Sequence, residues 1–212
     1  MNNMNLIKTK NFKFIYFDVG GVVIKDFSGT DNWQKLKNEL GIKPHDIEKF
    51  DNFFDSYEEE VCTTRDINTL IPLIEKEFEI KLPENYNFLN AFVDKFERNE
   101  SIWEVLNKAK EKYKVGLLTN MYPNMFSAIS KRRLFPNIDW DVVVDSSVVK
   151  ACKPNKEIFD IAEEKAKVKP SEILFIDNGK KHLEAAKLNS WQIFLYDSKN
   201  IVESNSKLAE LL

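Results

Sequence analysis

The chain has 212 residues, 43% of them apolar and 31% charged, enough for one well-packed domain or one domain with a sizeable insertion. A formal net charge of −3 gives no electrostatic case for nucleic acid as a partner, and the basic run Lys131-Arg132-Arg133 reads as a solvated helix end. Cys62 and Cys152 lack partners at metal-ligand spacing, no apolar run reaches the length of a membrane span, and MNNMNLIKTKNF has no apolar leader core. A reduced, cytoplasmic protein without membrane partners, monomeric or homodimeric, is therefore expected.

The first predicted element is FKFIYFDV (12–19), continuously apolar and so a buried strand. It carries Asp18 near its end, and Gly20 and Gly21 follow. From about Asp26 to about Asn99 the pattern changes to helical spacing with no convincing strand. DNWQKLKNEL, PHDIEKFDNFFDSYEEEVC, TRDINTLIPLIEKEFEI (after a Thr/Asp cap) and PENYNFLNAFVDKFER are its helical segments. Trp33, Phe50, Phe53, Phe54 and Tyr57 form an aromatic stripe there that reads as core, and His45 reads as a surface residue at a helix start.

After a helix over SIWEVLNKAKEKY (101–113), four further strands are expected: KVGLLTN (114–120), WDVVVDSS (140–147), EILFIDN (172–178) and WQIFLY (191–196). The helices PNMFSAISKRRLF, PNKEIFDIAEEKAK and KKHLEAAKLN separate them, with Pro154 placed to start the second. Such alternation predicts an α/β fold: a Rossmann-like, mostly parallel sheet core over residues 1–25 and 100–212, with a helical insertion over 26–99.

In open parallel sheets, ligands bind beyond the carboxyl ends of the strands. Here the strand ends supply Asp18, then Thr119 and Asn120, then Asp145, Ser146 and Ser147 with Lys153 shortly after, then Asp177 and Asn178. That set suits phosphoryl transfer. A carboxylate can be the in-line nucleophile, while hydroxyl and ammonium groups meet the phosphoryl oxygens. Facing carboxylates call for a cation, and Mg²⁺ suits hard oxygen donors. Gly20 and Gly21 let backbone N–H groups approach a phosphate closely.

The motifs FDVGGVV, LLTN, Lys153-Pro154 and FIDN, in that order, resemble those of the haloacid dehalogenase-like (HAD) hydrolases, in the branch with a helical cap inserted after the first motif. The resemblance implies a Rossmann-like core with a cap over 26–99 and Mg²⁺-dependent hydrolysis of a small phosphorylated substrate. It makes Asp18 the nucleophile, and Thr119 a ligand of the phosphoryl oxygens, assisted by the backbone or amide of Asn120. Lys153 becomes the neutralising cation, and Asp18, the Gly20 carbonyl, Asp177 and Asn178 the metal ligands. Three positions depart from the pattern. Gly20 stands where these phosphatases carry a second Asp that serves as general acid and base. Asn178 replaces the second acid of the fourth motif, and Lys150 replaces a glycine, reading as a solvated loop lysine. His182 reads as a packing or solvent residue. The alternatives are a phosphate-binding protein without turnover, a metal-free 2-haloacid dehalogenase, or a receiver domain; the long insertion counts against the last.

Overall fold

The computed structural model describes residues 11–212; the leader reading at positions 1–10 lies outside the described residues. Among the described residues seven strands run in chain order: β1 (Phe14–Phe17), β2 (Ile24–Lys25), β3 (Glu97–Arg98), β4 (Lys114–Thr119), β5 (Val142–Asp145), β6 (Ile173–Asp177) and β7 (Gln192–Leu195). Five of them form one sheet in the order β5-β4-β1-β6-β7, and every pairing in it is parallel. All four residues of β1 are buried, because both faces of the sheet are covered.

Successive side chains of a strand point to opposite faces. Phe14 and Tyr16 enter a cluster with Phe159, Leu183 and Trp191, whereas Ile15 and Phe17 enter one with Leu106, Val115 and Ile129. The insertion holds α1 (Asn32–Glu39), α2 (Ile47–Ser56), α3 (Glu58–Val61), α4 (Ile71–Phe78) and α5 (Phe88–Val93). After it come α6 (Trp103–Lys112), α7 (Met125–Lys131), α8 (Ser146–Val149), α9 (Lys156–Ala166), α10 (Lys180–Leu188) and α11 (Ile201–Leu211). Helices α9 and α10 cover the Tyr16 face, and α6, α7 and α11 cover the Phe17 face. The insertion shares the latter core: Leu36, Phe50, Ile74 and Phe92 belong to the same cluster as Phe17 and Ile176. The aromatic stripe packs as core, with Phe50 and Phe54 buried and Trp33 packed 5.1 Å from Phe54 between ring centroids.

Several expectations need correction. The insertion does end in a strand, since β3 pairs antiparallel with β2, Ile24 opposite Arg98 and Lys25 opposite Glu97. Two-residue strands are too short to carry a periodicity. The run WDVVVDSS is strand only over Val142–Asp145. Ser146 and Ser147 begin α8, whose first turn Asp145 caps by accepting the Ser147 N–H at 2.8 Å. Pro154 does not start a helix. It follows a cis peptide bond at Lys153, and α9 begins at Lys156 after Asn155. Helix α11 has no counterpart in the sequence reading, because Ser204 and Asn205 sit on its buried face and thin its apolar stripe. Among the described residues no helix is long and apolar enough to cross a membrane.

Candidate active site

The ends of β1, β4 and β6 lie side by side in the sheet, and their polar residues meet there. Asp18 follows β1 and still donates its N–H to Ile176 O of β6 at 2.9 Å, so its position is held by the ladder. Its Oδ1 accepts from Val19 N at 2.8 Å and lies 3.0 Å from Lys153 Nζ. The same ammonium reaches Asp177 Oδ2 at 2.6 Å. Lys153 and Asp177 are sealed from solvent, and 10% of the Asp18 side chain is exposed. Asp18 is thus the most exposed of the three.

Burial sets the electrostatics. It pushes the Asp18 carboxyl up; Lys153 opposes this and the Asp177 charge adds to it. Burial acts on Asp177 in the same sense, but Lys153 and His182 outweigh it and hold that carboxyl below its usual range. Burial disfavours the Lys153 charge, yet the two carboxylates together raise its pKa. Two carboxylates, one ammonium and the His182 imidazole thus meet in a desolvated site.

Asn120 grips the main chain of Lys153 from both sides. Its Oδ1 accepts from Lys153 N at 2.8 Å and its Nδ2 donates to Lys153 O at 2.9 Å. The amide expected to assist a phosphate is thus committed to placing the lysine. Thr119 is buried at the end of β4, and among the described residues no protein group hydrogen-bonds its hydroxyl. Gly21 N donates to Ile24 O at 2.9 Å and Ile24 N to Val19 O at 3.0 Å. This turn leaves the Gly20 carbonyl without a protein donor among the described residues.

The haloacid dehalogenase-like hydrolase family model matches residues 12–188. The chain belongs to this hydrolase family. Solved structures share its fold. A predicted HAD-like family hydrolase from Porphyromonas gingivalis is 20% identical, with 93% of this chain and 98% of that one covered at a TM-score of 0.72. A HAD family enzyme from Bacteroides thetaiotaomicron, in complex with magnesium and inorganic phosphate, is 22% identical, with 88% and 95% covered at 0.66. An L-2-haloacid dehalogenase from Xanthobacter autotrophicus with chloropropionic acid covalently bound is 17% identical, with 86% and 76% covered at 0.60. No curated protein matches the chain.

In this HAD-like hydrolase the other singled-out residues divide. Gly21, at φ +73°, lies where an added Cβ would meet Asn178 Nδ2 at 2.2 Å and Ser198 Oγ at 2.8 Å, so glycine is required. The Asn178 amide nitrogen donates to Ser198 Oγ at 3.0 Å, and that hydroxyl donates to Gly21 O. Asn178 therefore braces the Gly21 turn and lines a surface pocket of about 550 Å³ beside Ser28, Lys180 and Lys199, a pocket that Asp18, Lys153 and Asp177 do not line. Lys150 is tied down, donating to Thr63 O of the insertion at 3.0 Å. His182 is not a solvent residue: its Nδ1 stands 3.1 Å from Asp177 Oδ2. Together with Asp18 and Asp177 it offers ligand atoms all within 4.8 Å of one another.

Sequence reasoning missed Asp26 altogether. A narrow pocket of about 190 Å³ at the seam of insertion and core is lined by Gly20, Asp26, Asn120 and His182, with Phe92 and Tyr122 among its apolar walls. Burial pushes the Asp26 carboxyl up to about 6; the Ser28 hydrogen bonds oppose this and the Asp18 charge adds to it. The facing carboxylates of Asp18 and Asp177 and the undonated Gly20 carbonyl fit Mg²⁺, which takes hard oxygen ligands.

Proposed function

We propose that this hydrolase cleaves a small phosphorylated metabolite through an aspartyl-phosphate on Asp18, with Mg²⁺ held by Asp18, Asp177 and the Gly20 carbonyl. The observation that carries this reading is the convergence of Asp18, Lys153 and Asp177, whose chain neighbours Val19 and Gly20 and partners Asn120 and His182 line the pocket at the seam. Asp18 Oδ1 is occupied by Val19 N and Lys153, which leaves Oδ2 as the attacking atom. Thr119 donates its hydroxyl to a phosphoryl oxygen. Lys153 has three donors, two of them spent on carboxylates, and the third faces the phosphoryl group. When bound, Mg²⁺ supplies the positive charge that lets one anion approach another. The B. thetaiotaomicron relative, which holds magnesium and phosphate, supports the reading by analogy. A pocket of about 190 Å³ suits a small substrate, and the insertion acts as the cap that closes over it.

The test is phosphate release from p-nitrophenyl phosphate with Mg²⁺, beside halide release from 2-chloropropionate. The expected result is Mg²⁺-dependent phosphate release that EDTA and Asp18→Asn both abolish, with no halide released. Undiminished phosphatase activity in Asp18→Asn overturns the nucleophile. Metal-independent halide release makes the protein a dehalogenase. Tight binding of phosphate with no turnover on any phosphate ester makes it a binding protein.

A further inference from the structure

We propose that Asp26 is the general acid and base of this hydrolase, delivering from the end of β2 the carboxylate that position 20 lacks. The inference rests on the phosphohydrolase reading above. A Cβ built on Gly20 would stand 2.4 Å from Asp26 Oδ2, 3.2 Å from its Cγ and 3.8 Å from its Cβ. In an aspartate, a C–C bond of about 1.52 Å followed by a C–O bond of about 1.25 Å puts each carboxylate oxygen about 2.4 Å from its own Cβ. Asp26 Oδ2 therefore lies at the distance from position 20 at which an aspartate there would carry its own oxygen. The substitution is spatial: one carboxylate arrives from six residues further along the chain.

The rest of the local structure holds it there. Ser28 N donates to Asp26 Oδ1 at 2.7 Å, fixing one oxygen and leaving Oδ2 turned toward Gly20. The β2–β3 ribbon sets the path of the chain just before Asp26, with Lys25 opposite Glu97. Asp26 and Gly20 line the same pocket as Asn120 and His182. Glycine at position 20 leaves room for the incoming carboxylate, which a Cβ there would push aside.

The proton balance closes over the cycle. In the first step, Asp18 Oδ2 bonds to phosphorus, the bond to the leaving oxygen breaks, and the Asp26 carboxylic acid gives its proton to that oxygen. The alcohol leaves, and Asp26 is a carboxylate. In the second step, water attacks phosphorus and Asp26 takes its proton. The bond from phosphorus to Asp18 breaks, releasing inorganic phosphate and restoring both residues.

The experiment compares wild type and Asp26→Asn on p-nitrophenyl phosphate and on glycerol phosphate, whose leaving group needs a proton. Loss of the acid and base should cost about 10²–10⁴-fold on the alkyl ester. On p-nitrophenyl phosphate the variant should show a burst of one nitrophenolate per enzyme and then slow turnover, with a phosphoryl group on Asp18 detectable by mass spectrometry. A merely structural role for Asp26 would lower both rates together with no burst and no phosphoenzyme, and that result, or unchanged rates, overturns the proposal. Should Asp26→Asn fail to fold, the double variant Gly20→Asp/Asp26→Gly replaces it. It returns the carboxylate to position 20 and should recover turnover of both esters, while an inactive folded double variant counts against the assignment. Absence of turnover in the wild type itself would remove the phosphohydrolase reading and leave the Asp26 geometry without a reaction, an outcome distinct from all of these.

Discussion

Lys153 is the residue on which the site's charge balance turns. Its ammonium is sealed from solvent between Asp18 and Asp177 and stands 5.2 Å from the centroid of the Phe175 ring. A buried ion pair is weak evidence for stability, because desolvation offsets much of the Coulomb gain, but removing one partner strands the others. Lys153→Met should cost about 3–5 kcal/mol and abolish turnover. If the two carboxylates form a cation site, Mg²⁺ should raise the Tm of this variant more than that of wild type, through binding to the native state alone. Thermal melts with and without Mg²⁺ check this, and equal shifts in the two proteins would count against the site. The positions of Asp18, Thr119, Lys153 and Asp177 are legible in the sequence because a parallel sheet brings its strand ends together. His182 and Asp26 are not legible. His182 reaches Asp177 only through the turn at Gly179, whose N–H donates to Asp177 Oδ1 at 2.6 Å. Asp26 reaches Gly20 only because the chain folds back through a ribbon two residues long.

Among the elements, the central strands declare themselves because continuous apolar runs of that length have nowhere to go but a sheet covered on both faces. What the runs do not show is where pairing stops. Asp145 ends β5 by turning its carboxylate onto Ser147, accepting from both the N–H and the hydroxyl, so a residue that reads as a site acid is a helix cap. Asp141 does similar work before the strand. Its Oδ2 accepts from Val115 N of β4 at 2.8 Å and from Lys110 Nζ of α6 at 2.7 Å, joining a helix and two strands. Partial burial disfavours its charge, but these two bonds prevail and hold the carboxyl below its usual range. A carboxyl lowered in the folded state stabilises above its unfolded pKa, about 3.9, and loses that contribution as pH falls through the folded value. Asp141→Asn should therefore cost about 1–2 kcal/mol at pH 7, and the gap to wild type should narrow near pH 3. Urea midpoints at the two pH values measure it; a gap that does not change with pH would mean that the charge on Asp141 contributes nothing.

At the scale of the whole molecule, the seam between insertion and sheet decides whether the site opens. Several joints cross it. Ser146 Oγ donates to Cys62 O of the insertion and accepts from Met121 N at 2.8 Å, all of it buried. Asn99 of the insertion also crosses it, donating its buried Nδ2 to Val22 O at 2.7 Å, while Lys150 to Thr63 O at 3.0 Å, Arg132 to Asp94 at 2.8 Å and Asn155 to Glu59 at 3.1 Å are exposed. Exposed polar contacts contribute little, whereas leaving a buried carbonyl and N–H unpaired costs about 1–3 kcal/mol. Phe54 and Phe92 also belong to the core cluster of the sheet, and Phe92 packs 5.4 Å from Tyr122 between ring centroids. Insertion and sheet should therefore unfold in one transition. Ser146→Ala should lower the Tm of that transition by roughly 2–8 °C, while Lys150→Met should stay within about 0.5 kcal/mol of wild type. Differential scanning calorimetry of the three proteins distinguishes the cases. Two separate transitions in Ser146→Ala would show that the insertion holds together as a unit of its own and that it depends on the Ser146 joint for its coupling to the sheet. An unchanged Tm would show that the shared aromatic core closes the seam without it.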